Sequence, residues 1–230
     1  MALAASALAL TAGGVSAAPI TVEFNGIVKG SNNMTITKAP VLPAYSSPTA
    51  GGFSMTGINP AIGDFIAWCL DLATSIHGTN PLTYVVTDTP VSGGFNVYKD
   101  QVATLFRNSN YSDSVTDKNS TSAGFQLALW EVAYDTPDAD GNFSLGTGAF
   151  QATAGSAILR EANAFLAYMT TPHHDAGGGP AVTFLQNIDN PLRQSLVTAS
   201  PIPLPAAAWL LIGGIGMLAA ARRRRREAAA

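Results

Sequence analysis

One cysteine, Cys69, stands in a chain of 230 residues. A single thiol cannot form an internal disulfide, so the chain must hold itself together with a hydrophobic core. The ends make this constraint sharper, because both read as export signals. Residues 2–18 carry no charge, are rich in Ala and Leu, and finish in small residues. That is the apolar region and cleavage zone of a secretory signal, with cleavage expected after Ala17 or Ala18. The basic leading region is missing, since the first Lys is Lys29, so the expected start lies upstream of Met1. At the other end residues 206–221 carry no charge, and Arg222, Arg223, Arg224, Arg225 and Arg226 follow without a break. The apolar run is short against the roughly 20 residues of a membrane span, and counting from Ile202 brings it near that length. Arginines stay on the cytoplasmic side, so the body is expected outside. For an exported Cys69 three roles are open: a buried apolar filler, an intermolecular bridge, or half of some other covalent bond.

The chain carries 12 basic and 15 acidic residues, net −3; without Arg222 to Arg226 and Glu227 the body keeps 7 and 14, net −7. An acidic body argues against nucleic acid or anionic lipid as a partner. Charged residues make up only 12% of the chain, and Gly, Ser, Thr, Asn and Pro are abundant. This suits a secreted, loop-rich, mainly β domain with room for a sizeable core. The expected layout is a signal peptide at 1–18, one extracellular domain at 19–195, a linker at 196–205, a membrane helix at 206–221 and a basic cytoplasmic tail at 222–230. The stretch "RQSLVTA" before the membrane segment is an alternative last strand.

"ITVEFNGIVKG" from Ile20 alternates apolar and polar residues and predicts a strand. "NMTITK", "GGFSMTGI", "PLTYVVTDT" and "AVTFLQNI" predict four more, and the nearly unbroken apolar run 64–72, "DFIAWCLDL", predicts a buried one. "NVYKDQVATLFRNS" has helical spacing, with Val97, Val102, Leu105 and Phe106 on one face. "TSAGFQLALWEVAYDTP" predicts a second helix, capped by Ser or Thr at its start and stopped by Pro137. "GSAILREANAFLAYMTT" predicts a third. The fold class is α+β: a single β-rich domain, sandwich- or barrel-like, with two or three helices.

In the second helix Gln126, Trp130 and Tyr134 recur at i, i+4 and i+8 and so lie along one stripe. A buried glutamine amide must find partners or lose about 1–3 kcal/mol. A bond to a neighbouring strand backbone is one way to satisfy it.

Two resemblances add to this reading. Ile202, Pro203, Leu204, Pro205 and Ala206, followed by the thin apolar run and the five arginines, resemble the VPLPA variant of the PEP-CTERM sorting signal. The resemblance implies a Gram-negative bacterium with an exosortase-type membrane protease as partner. It implies a transient inner-membrane intermediate, then release to the cell surface or extracellular matrix. "WCLD" and "QLALW" resemble the Cys–Gln thioester domains of bacterial surface adhesins, over residues 60–135. There Cys69 matches the thiol donor, Gln126 the acyl donor, Ala128 and Trp130 the rest of the glutamine motif, and Trp68 the aromatic before the cysteine. Phe125 departs from the Thr common in that family, and the Cys–Gln spacing is short for it.

The thioester resemblance implies that thiol and carboxamide condense with loss of ammonia. A nearby acid, either Asp71 or Glu131, would protonate the leaving group. Trp68, Trp130 and Tyr134 would keep water off the acyl group. An amine-bearing surface partner could then open the bond and become linked to Gln126. The competing expectation is a non-covalent matrix component, structural or carbohydrate-binding with exopolysaccharide as partner, in which Cys69 is simply buried. Neither needs a cofactor or a metal, and neither is an enzyme. No nucleophile elbow, phosphate loop or zinc-protease helix is recognisable. The Asp135–Gly148 stretch, "DTPDADGNFSLGTG", lacks carboxylates at the first and last calcium-ligand positions and reads as a turn around Asp140 and Gly141. His173, His174 and Asp175 lie in a Gly-rich surface loop, far along the chain from His77.

Overall fold

The computed structural model describes residues 18–76, 81–109, 111–171, 181–190 and 192–199. The signal segment before Ala18, the sorting motif, the apolar tail and the arginines lie outside the described residues, as do His77, His173, His174 and Asp175. Among the described residues no helix is long and apolar enough to cross a membrane.

The chain runs β1 (Ile20–Ser31), β2 (Met34–Lys38), β3 (Ala50–Asn59), β4 (Gly63–Cys69), β5 (Leu82–Thr87), β6 (Val91–Ser92) and β7 (Phe95–Asn96). Then follow α1 (Lys99–Asn108), a 3-10 turn (Asp113–Thr116), α2 (Asn119–Tyr134), β8 (Gln151–Ala154), α3 (Ser156–Ala167), β9 (Thr183–Asn187) and β10 (Leu196–Thr198). Six strands close an antiparallel barrel in the order β1-β3-β4-β10-β9-β5. β1 is long enough to pair with β3 over most of its length and with β5 at Ile20–Val22. Serving two neighbours requires bending, and register shifts at Thr21/Val22, Phe24/Gly26 and Ile27/Lys29 supply it. The fold is the expected β-rich α+β domain.

β4 is apolar on both faces because both are covered. Phe65, Ala67 and Cys69 point one way and Ile66 and Trp68 the other. Trp68 packs against Phe125 of α2, ring centroids 4.7 Å apart. α2 is buried without a break from Ser122 to Tyr134. Such a helix must be surrounded rather than laid on a surface. The Ser122 hydroxyl fastens it to the barrel, accepting from Gly52 N–H at 3.0 Å and donating to Lys29 O at 2.7 Å. On its other side Gly124 lets α3 approach closely, since a Cβ there would stand 2.9 Å from Ala162 N and 3.1 Å from Ile158 O.

Four details differ from the sequence reading. α2 begins after Lys118, whose side chain makes no capping bond, so no Ser or Thr caps it; its first residue Asn119 accepts from Gly30 N–H at 3.3 Å, and burial holds the helix from Ser122 onward. β4 ends at Cys69 instead of running to Leu72, because β10 pairs with only Trp68 and Cys69. Within the stretch expected as linker, Leu196–Thr198 is the buried strand β10, in line with the alternative reading of "RQSLVTA", and it closes the barrel between β4 and β9. The β6–β7 hairpin, turning at Gly93 and Gly94 with φ 53° and 85°, and β8, which pairs with β2, were not anticipated. The Asp135–Gly148 stretch does turn where expected, with Asp138 Oδ1 accepting from Asp140 N–H at 3.0 Å and Asn142 N–H at 2.8 Å.

Candidate functional site

Cys69 is the last residue of β4, and from Leu70 the chain leaves the ladder. Its backbone groups then need other partners. Ser195 O, just before β10, accepts from Leu70 N–H at 2.9 Å and Asp71 N–H at 3.3 Å. From the opposite side the polar stripe of α2 meets the same segment. Gln126 Oε1 accepts from Cys69 N–H at 3.0 Å, and Gln126 Nε2 donates to Cys69 O at 2.8 Å. Two turns on, the Tyr134 hydroxyl donates to Leu70 O at 2.9 Å and accepts from Leu72 N–H at 3.1 Å. A helix face thus stands in for a missing strand, and the stripe spacing i to i+8 matches the span from Cys69 to Leu72.

Between those two anchors lies Trp130. It lines a cleft of about 290 Å³ together with Cys69, Gln194, Phe24, Ile27, Phe53 and Tyr45. Cys69 is a free, buried thiol whose Sγ–H donates to Asp71 O at 3.2 Å. Burial first, then the charge of Asp71, push its pKa well above the ordinary thiol range. The Trp130 and Gln194 side chains act on the sulfur in the opposite direction. The resting group is therefore a thiol held protonated, and it becomes a nucleophile only when it loses that proton.

The other residues singled out in the sequence are distributed differently. Trp68 points away from the thiol: its Nε1–H donates to Tyr111 Oη at 3.0 Å, and its ring packs on Phe125. Of the three expected shields only Trp130 lines the cleft. The Asp71 carboxylate is engaged in its own turn, accepting from Ala73 N–H at 2.8 Å, Thr74 Oγ1 at 2.9 Å and Ser92 Oγ at 2.6 Å. Glu131 faces another part of the molecule, where its Oε1 accepts from Ser144 N–H at 3.0 Å and its buried Oε2 has no hydrogen-bond partner among the described residues. Burial pushes its carboxyl up to about 8; the Ser144 N–H opposes this and the charge of Asp135 adds to it. Neither acid is hydrogen-bonded to Gln126. Ala128 is fully buried and contributes packing alone. Among the described residues no group of three or more His, Cys, Asp or Glu side chains gathers as a metal site would need.

Gln194 is the residue that sequence reasoning missed. Its Nε2 donates to Asp71 O at 2.9 Å, and it reaches the cleft because β10 pairs beside β4. "RQSL" carries no local signal for this role; only the barrel closure brings it there.

Fold and site together define a β-barrel domain with a helix-clamped cysteine at the floor of a cleft. No protein-family profile matches the sequence, and no curated protein matches it. Two solved structures are similar at 10% identity. The N-terminal thioester domain of a surface protein from Clostridium perfringens matches over 80% of this chain and 100% of its own, TM-score 0.42. The N-terminal thioester domain of fibronectin-binding protein SfbI from Streptococcus pyogenes matches over 86% and 100%, TM-score 0.43. Scores of that size describe a loose likeness of chain path, and the chemical reading rests on the site itself.

Proposed function

We propose that this is an exported attachment domain of a bacterial surface or extracellular matrix, routed by an exosortase-type signal, in which Cys69 and Gln126 close an internal thioester. The observation that supports it is the seat of the Gln126 carboxamide: oxygen 3.0 Å from Cys69 N, nitrogen 2.8 Å from Cys69 O. The backbone N–H polarises the carbonyl, and the acyl carbon is held against the residue that carries the thiol. Sulfur attacks Cδ, the C–N bond breaks, and the thiol proton leaves with the departing ammonia. A partner amine entering by the cleft would then displace sulfur and become amide-linked to Gln126.

A second reading is favoured by the same contacts. Both polar atoms of Gln126 are already satisfied by backbone, so the residue also serves as a pure strand clamp. In that case the domain is a non-covalent matrix component, and its cleft, with Tyr45 at the rim and Phe24 and Phe53 in the wall, binds an exopolysaccharide segment.

The intact mass of the exported protein, purified without reductant or amine buffers, separates the two. A species lighter by one ammonia, which takes up methylamine at Gln126, supports the thioester. An unmodified mass with one titratable thiol after unfolding rejects it and leaves the clamp.

A further inference from the structure

We infer that the Trp130 indole N–H and the Gln194 carboxamide form a donor pair for the Cys69 sulfur in its anionic form. The inference deepens the thioester reading and rests on it for its chemical use. Trp130 is 2% exposed, and its Nε1–H is a buried donor without a hydrogen-bond partner among the described residues. Such donors are rare, because each one forfeits the bond it made to water. The indole lines the cleft beside the thiol and acts on its sulfur, yet the neutral thiol gives it no full hydrogen bond. Gln194 approaches from the β10 side. One of its two Nε2 hydrogens is used on Asp71 O, which leaves the other for sulfur.

The arrangement is asymmetric toward charge. In the neutral state the sulfur donates its proton to Asp71 O at 3.2 Å, and the indole donor stays unpaired. Once the proton is gone, the sulfur becomes an acceptor for the unpaired indole N–H and for the second Nε2 hydrogen of Gln194. Both chemical steps pass through charge on this atom. In closure the thiol loses its proton, sulfur bonds Cδ of Gln126, and ammonia departs. In opening an amine bonds Cδ, the C–S bond breaks with its electron pair on Sγ, and the proton released by the amine returns to sulfur. Donors fixed in a water-poor cleft stabilise that developing charge without reorganisation.

The test uses full-length exported protein treated with methylamine, so that Cys69 is free whether or not a thioester had formed. Alkylation by iodoacetamide is followed by mass across pH for wild type, Trp130→Phe and Gln194→Ala. The midpoint is expected to move up by about one pH unit in the variants. Trp130→Phe also widens the cleft, and the water this admits would move the midpoint down, so a rise in the midpoint reports the lost donor and not the looser packing. Where the wild type carries a thioester, its opening by methylamine should slow about tenfold to hundredfold in the variants. Unchanged midpoints in both variants overturn the donor pair, even if the wild type has lost ammonia. A midpoint that shifts in the variants while the untreated wild type keeps its ammonia supports the donor pair and rejects the thioester instead. If Trp130→Phe does not fold, Gln194→Ala decides alone, since that residue lies outside the buried helix.

Discussion

Gln126 holds Cys69 by its backbone: one carboxamide accepts the residue's N–H at 3.0 Å and donates to its C=O at 2.8 Å. Removing that amide strands two buried backbone groups. Gln126→Ala should lower unfolding stability by about 2–6 kcal/mol, from roughly 1–3 kcal/mol for each of the two orphaned groups, read as a fall in the urea midpoint. A change below about half a kcal/mol would mean that the clamp is not a structural element.

Tyr134 bridges Leu70 O and Leu72 N through one hydroxyl. Tyr134→Phe keeps the ring and removes both bonds. Ser92 Oγ also reaches Leu72 N–H, at 3.2 Å, and softens the loss. The expected cost is about 1–2 kcal/mol, with the intact mass of Cys69 and Gln126 unchanged. A double variant with Gln126→Ala should be non-additive if the two clamps hold one segment, and a double-mutant cycle measures this.

Glu131 gives the fold a pH dependence of defined sign. Its folded pKa of about 8 lies above the ordinary 4.5. Between those values the folded state keeps a proton that the unfolded state has released, so stability falls as pH rises through the window and levels off above it. Glu131→Gln retains an oxygen for Ser144 N–H and removes the ionisation. Thermal midpoints at pH 5 and pH 9 should differ less in the variant than in wild type, whose midpoint should be lower at the higher pH. Parallel behaviour would assign the carboxyl an ordinary pKa.

Gly124 sets the distance between α2 and α3. A Cβ at this position would lie 2.6 Å from Glu161 Cβ and 2.9 Å from Ala162 N, and the second of these is backbone. Gly124→Ala gains helix propensity of about 1 kcal/mol yet should still destabilise by about 1–3 kcal/mol, because the helices must separate. A variant as stable as wild type would show that α3 can shift without cost.

Much of the framework was legible from residues. Alternation marked β1, and the 3.6-residue period placed Val102, Leu105 and Phe106 on the buried face of α1, whereas Val97, read on the same face, precedes the helix. The same period put Gln126, Trp130 and Tyr134 on one stripe. Short elements escaped: β8 is four residues and the β6–β7 strands are two each, too few for any period to show. β10 lay inside a stretch read mainly as linker, since three residues cannot advertise a strand whose partners are distant.

By itself the sequence determined that no disulfide can hold this domain, that its helices and long strands lie where they do, and that a buried helix must find partners for a glutamine. Tertiary structure alone decided which partners. Gln126 meets the Cys69 backbone, Asp71 is consumed by its own turn, Trp68 faces away from the thiol, and Gln194 joins the cleft. Periodicity reports which face of one element is buried. Which atom a side chain reaches depends on the register between elements, and here that register is set by β10 closing the barrel against the last two residues of β4.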